Sequence, residues 1–216
     1  MTAESTRKIT AIQPQKKRCD RAAIFLDGEF AFGLHHDVLL ASGIAVGDEL
    51  TSAQIEEIRR QESRRSGKEK AFRLLAHRAR SRKELGDRLR QAGYAAEDID
   101  WVLAELQRLQ LLNDAEFARM FSHDRMVNQP VGARLLRQEL KRRGVAEDDV
   151  ENAVAEAFQE RSEAQVAREL AAKQKKKQLK LNDEKAKQRV ADFLLRRGFH
   201  WDLVNEIIED WENLQP

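Results

Sequence analysis

Leu85-Gly-Asp-Arg-Leu89-Arg-Gln-Ala-Gly93-Tyr94, Leu136-Arg-Gln-Glu-Leu140-Lys-Arg-Arg-Gly144-Val145 and Val190-Ala-Asp-Phe-Leu194-Leu-Arg-Arg-Gly198-Phe199 are three versions of one phrase. In each, apolar residues stand eight and four places before a glycine, and an apolar residue follows it. A spacing of four keeps side chains on one helical face, so each phrase predicts a helix. Glycine adopts left-handed backbone at no steric cost, so Gly93, Gly144 and Gly198 are expected to end those helices.

Beyond each glycine runs a ladder at i, i+3, i+4 and i+7, the pattern of an amphipathic helix. It reads Ile99, Val102, Leu103, Leu106, then Val150, Ala153, Val154, Ala157, then Val204, Ile207, Ile208, Trp211. A helix opens each unit, over about 68–79, 114–127 and 160–180. The expected fold is mainly α, an elongated array of three tandem three-helix repeats over 68–112, 113–159 and 160–216. Units of this size gain by stacking on their neighbours. Ser81 with Glu84, and Asn113 with Glu116, predict helix starts, and Pro130 ends the segment before the second middle helix.

The region before the repeats differs. Asp27-Gly28 lies between two apolar runs of Arg21–Leu34, which predicts a β-hairpin. A lone hairpin is marginal in water, so His35–Leu50 is expected to pack on it, with a short helix around Val38–Ala41 and a third strand near Ile44–Val46. Thr51 with Gln54 predicts a capping box for a helix to about Arg64. Residues 21–66 thus form a β-hairpin plus helix region, Ser63–Gly67 reads as a hinge, and residues 1–20, with Lys16-Lys17-Arg18, read as a flexible basic tail.

Charged residues make up 35% of the 216 and aromatics 6%, which suits exposed helices with narrow apolar stripes. The net charge of +2 excludes bulk polycation behaviour, so any nucleic-acid role requires local segregation of charge. The middle helices carry Arg82, Lys83, Arg88 and Arg90, then Arg134, Arg137, Lys141, Arg142 and Arg143, then Lys185, Lys187, Arg189, Arg196 and Arg197. The last helices carry acids, among them Glu97, Asp98 and Glu105, then Glu147 and Glu151, then Glu206 and Glu209. At about 100° per residue, Lys83 and Arg90 point away from Leu85 and Leu89, and Arg134 and Lys141 repeat those offsets. Such strips are also what helix dipoles and solvated faces produce without any partner. Lys173–Lys180 is a further candidate phosphate contact, or a solvated helix end.

Signals for catalysis or cofactors are weak. Adjacent His35 and His36 face different ways and have no second cluster at ligand spacing, so no metal is expected. No glycine-rich phosphate loop or nucleophile elbow occurs. Trp101, Trp201 and Trp211 read mainly as packing residues. Cys19 is the one cysteine, and no apolar run approaches the ~18 residues that span a bilayer. A soluble, cytoplasmic, non-enzymatic monomer without cofactor is the expectation.

The repeat region resembles the RecX family of RecA regulators. The resemblance rests on Ala71–Leu85, Leu89–Gly93, Leu112–Arg119, Glu139–Val145 and Leu195–Phe199, in matching order and spacing. It is strong over 70–160, weaker over 160–212, and explains residues 1–66 poorly. It implies a protein that binds RecA and the RecA–DNA filament, limits filament growth or promotes disassembly, and so inhibits ATP hydrolysis, strand exchange and the coprotease role in the SOS response. A role in DNA repair and recombination follows. Under that implication Arg82, Lys83, Arg88, Arg90, Arg134, Arg137, Lys141, Arg142, Lys187, Arg196 and Arg197 are the candidate RecA or DNA contacts. A general nucleic-acid-binding module, of single- or double-stranded DNA, and a helix-stacking scaffold are the alternatives.

Overall fold

Asp27 and Gly28 take φ values of 51° and 88°, the paired positive angles of a two-residue hairpin turn. They join β2 (Arg18–Leu26) to β3 (Glu29–His35). In the computed structural model, which describes residues 6–15, 18–178 and 182–214, this hairpin belongs to a four-stranded antiparallel sheet. With β1 (Thr6–Gln15) and β4 (Glu49–Thr51), the order is β3-β2-β1-β4.

β1 replaces most of the expected tail. Only its Ile9 is fully buried, so a strand held by backbone ladders leaves little hydrophobic pattern to read. Lys16 and Lys17 of that expectation lie outside the described residues. β1 also grips the hairpin tip: Arg7 Nε donates to Asp27 Oδ2 at 2.8 Å and Lys8 N to Asp27 Oδ1 at 3.0 Å. Those bonds, Arg7's first, hold the Asp27 carboxyl below its ordinary range.

The third strand is displaced from the expected Ile44–Val46 to Glu49–Thr51. Gly43 and Gly47 are both left-handed (φ 64° and 103°), and Asp48 Oδ2 accepts from Ala45 N at 2.8 Å, which makes the earlier stretch a turn. The short helix α1 is His36–Ser42. One sheet face buries Ile9, Ile24, Leu26 and Leu34 against Val38 of α1 and against Ile55 and Ile58 of the next helix.

That helix, α2 (Ser52–His77), runs unbroken through the expected hinge. The Thr51–Gln54 capping box forms at its start. Glycine costs about 1 kcal/mol within a helix. Gly67 is tolerated because a Cβ there would stand 3.3 Å from Val102 Cγ2 and 3.5 Å from the Tyr94 ring. The glycine is a contact point between helices. Glu62 ties α2 to the sheet, pairing with Arg21 at 2.7 Å and accepting from His35 N at 2.8 Å.

The remaining helices are α3 (Arg82–Gln91), α4 (Ala96–Arg108), α5 (Asp114–Asn128), α6 (Ala133–Arg142), α7 (Glu147–Ala157), α8 (Glu163–Lys177), α9 (Asp183–Arg196) and α10 (Trp201–Glu209). Two compact units result: residues 1–78 with 85–109, and residues 79–84 with 110–216. In the first, the ladder Ile99, Val102, Leu103, Leu106 is buried, as are Leu85 and Leu89. In the second, one core runs through two repeats, from Phe117 and Leu136 to Val190, Phe199 and Ile207. Trp211 lies in this core, whereas Trp201 is 58% exposed and Trp101 38%, against the expectation that all three pack.

Candidate protein and nucleic-acid interface

Gly93, Gly144 and Gly198 have φ of 89°, 78° and 86°. In each turn the glycine N–H returns to the third carbonyl before it, and the next N–H returns one carbonyl further: Tyr94 to Leu89, Val145 to Leu140, Phe199 to Leu194. These are Schellman turns, and the apolar residue after each glycine folds onto its helix end.

Within the second unit, two of these turns receive the start of a preceding middle helix. Ser81 Oγ donates to Arg143 O at 2.5 Å, and Lys83 Nζ to Arg142 O at 2.9 Å. One repeat later, Gly132 N donates to Arg197 O at 2.8 Å, and Arg134 Nη2 to Leu195 O at 3.3 Å. Ser81 and Gly132 are equivalent positions, as are Lys83 and Arg134. The fit is close: a Cβ on Gly144 would lie 2.6 Å from Lys83 Cβ, and one on Gly132 2.5 Å from Gly198 O.

This joint changes the meaning of the basic strip. Lys83 and Arg134 stand on exposed surface, as their angles predict, yet both are engaged in capping the next repeat's middle helix. Arg137 is held by Glu151 through contacts of 2.7, 3.0 and 2.9 Å, and Lys141 pairs with Glu147 at 2.7 Å. Basic α6 and acidic α7 therefore neutralise each other in part. The hydrogen bond between Arg137 and Glu151 raises the pKa of the arginine and lowers that of the carboxyl. Arg197 donates to Pro130 O at 2.9 Å and lies 5.1 Å from the Phe193 ring; burial, then the charge of Arg125, lowers its pKa. Arg82 gives its backbone N–H to Asp114 Oδ1 at 2.7 Å, and burial pushes the Asp114 carboxyl up. Arg143 stacks on Phe121 at 4.0 Å.

In the first unit, Arg90 pairs with Asp87 at 2.6 Å, and Arg88 reaches Gln91 Oε1 at 3.3 Å. Asp98 of the expected acidic strip is buried, bonded to Arg64 at 3.3 Å. Arg64 also lies 5.2 Å over the Trp101 ring, at the edge of a 670 Å³ cleft shared with Val38, Ala41 and Phe72. His35 caps α1 and meets Arg65 Nη2 at 2.7 Å.

Two candidate cations recur at one repeat position and remain exposed. Arg142 and Arg196 each stand two residues before the turn glycine, and neither has an ion-pair partner among the described residues. Lys187 is half-buried beside Ile208. Lys173, Lys176 and Lys177 are exposed, Lys175 donates to Trp211 O at 2.6 Å, and Lys180 lies outside the described residues. No group of three or more His, Cys, Asp or Glu among the described residues is arranged to hold a metal ion, and no described helix is long and apolar enough to cross a membrane.

Comparison with known proteins follows these boundaries. The first, second and third three-helix domains of RecX match residues 68–106, 113–154 and 162–208. The RecX N-terminal domain matches residues 7–51, so the sheet region belongs to the family pattern together with the repeats, although the resemblance read from the repeats explained it poorly. Regulatory protein RecX of Listeria monocytogenes serotype 4b strain F2365 is 36% identical over 141 residues, 65% of this chain and 52% of that protein. The match thus spans about half the length of such Listeria relatives. Regulatory protein RecX of Bacillus licheniformis is 33% identical over 207 residues, 95% of this chain and 78% of that protein. A crystal structure of regulatory protein RecX superposes with a TM-score of 0.71 at 26% identity, covering 94% of this chain and 99% of that one. RecX from Lactobacillus salivarius, at 22% identity and a TM-score of 0.60, shares the fold over 71% of this chain and 99% of its own. With its N-terminal domain and all three repeats matched in order, the chain belongs to the RecX family of regulatory proteins.

Proposed function

We propose that this chain is a cytoplasmic, non-catalytic regulator that binds RecA and the RecA–DNA filament. It limits filament growth or promotes disassembly, and thereby inhibits ATP hydrolysis, strand exchange and the coprotease activity of the SOS response. Membership of the RecX family supports the reading. The observation that carries it is the recurrence of Arg142 and Arg196 as exposed, unpaired cations at one position of successive repeats. Lys83, Arg134, Arg137, Lys141 and Arg197 are engaged within the fold, so the partner surface shifts from them to Arg142, Arg196 and the exposed lysines.

The test is RecA's single-strand-dependent ATP hydrolysis with this protein titrated from far below to above the RecA concentration. Inhibition at a low ratio supports filament regulation, and Arg142→Ala with Arg196→Ala should raise the half-inhibitory concentration several-fold without changing the melting temperature. No inhibition at any ratio by folded protein would refute it. A second reading, direct DNA binding without RecA, is favoured by Lys173, Lys176 and Lys177 exposed together at the end of α8. It predicts binding that falls steeply with salt and weakens when those lysines are removed.

A further inference from the structure

The joint between repeats uses a socket and a plug, and the chain contains more sockets than plugs. A socket is the Schellman turn of a middle helix, whose last carbonyls face outward. A plug is the first turn of another middle helix. The plug supplies a backbone N–H or hydroxyl at its start and a basic side chain two residues on. Two sockets are filled: Gly144 by Ser81 and Lys83, Gly198 by Gly132 and Arg134. The third, at Gly93, is empty. A Cβ on Gly93 would meet nothing within 4 Å, where one on Gly144 or Gly198 would collide with the plug. Residues 90–93 are all exposed, and among the described residues no donor meets Gln91 O or Ala92 O.

The electrostatics select the occupant. The socket is the negative end of the α3 dipole, rimmed by carbonyl oxygens, and a helix start is the positive end of another. A second copy of this chain does not supply one. The plugs on α3 and α6 are already engaged, and α9 starts earlier, at its N-cap Asn182. The equivalent plug position, Ala186, is buried inside that extra turn and gives its N–H to Asn182 O at 3.0 Å. The next position that counts, occupied by Lys83 and Arg134 in the other repeats, is Gln188.

We propose that the Gly93 turn is a docking socket for a helix start on the partner protein, one with a small or hydroxyl residue at the cap and Lys or Arg two residues on. The proposal rests on the RecA reading above and names the contact through which one RecA protomer is held.

The test attaches a fluorophore to Cys19, the one cysteine and exposed, and follows binding to RecA filaments on single-stranded DNA by anisotropy. Gly93→Asn keeps a residue that tolerates left-handed backbone and puts its side chain into the socket. Ala92→Arg leaves the glycine intact and places bulk and like charge at the rim. Each should weaken filament binding at least tenfold with the melting temperature within a few degrees of wild type. Gln91→Ala, which removes a side chain and keeps the carbonyl, should bind as wild type does. Wild-type affinity in either folded socket variant would overturn the socket and leave RecA regulation standing. Failure of the wild-type chain to bind filaments would overturn both. Concentration-dependent dimers lost in Gly93→Asn would also overturn it, because a second copy would then be the occupant.

Discussion

Lys83 Nζ donates to the carbonyl oxygen of Arg142 at 2.9 Å, so a residue with every sequence mark of a ligand-facing cation is a clasp between repeats. Arg134 does the same to Leu195 O at 3.3 Å. Lys83→Met and Arg134→Met keep the apolar stem and remove the donor. Each should cost about 1 kcal/mol, a fall of roughly 2–4 °C in melting temperature for a chain of this size. Inhibition of RecA per folded molecule should not change. Lost inhibition at an unchanged melting temperature would restore these residues to the partner surface.

The three turn glycines should not be equally costly to replace. Any L-residue at a left-handed position costs about 1–2 kcal/mol, and that is all that Gly93→Ala should lose. Gly144→Ala and Gly198→Ala also drive a Cβ into Lys83 and Leu135, so overpacking should add about 1–3 kcal/mol. Urea unfolding of the three variants gives the order. Equal losses would contradict the close packing of the joints.

A hinge at Ser63–Gly67 and an unbroken α2 predict opposite results for Gly67→Leu. In a solvent-exposed hinge the substitution is close to neutral. Against Val102 and Tyr94, at 3.3 and 3.5 Å from the added carbon, it should destabilise by about 1–3 kcal/mol. Thermal denaturation decides between them.

The Arg137–Glu151 pair sets a pH signature. Its hydrogen bond to the Arg137 guanidinium holds the folded-state pKa of Glu151 below the ordinary glutamate range. A carboxyl whose pKa falls on folding contributes stability above its unfolded pKa and loses it as pH drops through the lower, folded value. Both side chains are well exposed, so a double-mutant cycle with Arg137→Ala and Glu151→Ala at neutral pH should give about 0.2–1 kcal/mol. That coupling should fade as the carboxylate protonates and vanish below the lowered, folded value of Glu151. A coupling that persists there would mean the pair does not act through the carboxylate.

Much of the helical region was legible because its signals are local. The glycine that ends each middle helix, the ladder after it and the caps at Thr51 and Asn113 act through neighbours within one or two turns. Their spacing survives in a linear string. β1 was not legible, because a strand that buries only Ile9 is held by backbone ladders that any sequence can make. Gly67 was misread for a related reason: a lone glycine in a polar stretch looks like a break until Val102 and Tyr94 are seen beside it.

The basic strip shows the same division. Sequence periodicity established which cations leave the core, and Lys83, Arg90, Arg134 and Lys141 all stand on exposed surface. Only the tertiary structure decided which of them have partners beyond their own helix, because Arg142 O, Leu195 O and Glu147, the partners of Lys83, Arg134 and Lys141, come from other helices. The sequence by itself determined the repeats, their turns and their family, since those follow from hydrophobic period and backbone conformation. The distribution of engaged and unengaged charge, and the one open turn at Gly93, were decided by stacking, because a helix end is closed or open only by what the rest of the chain brings to it.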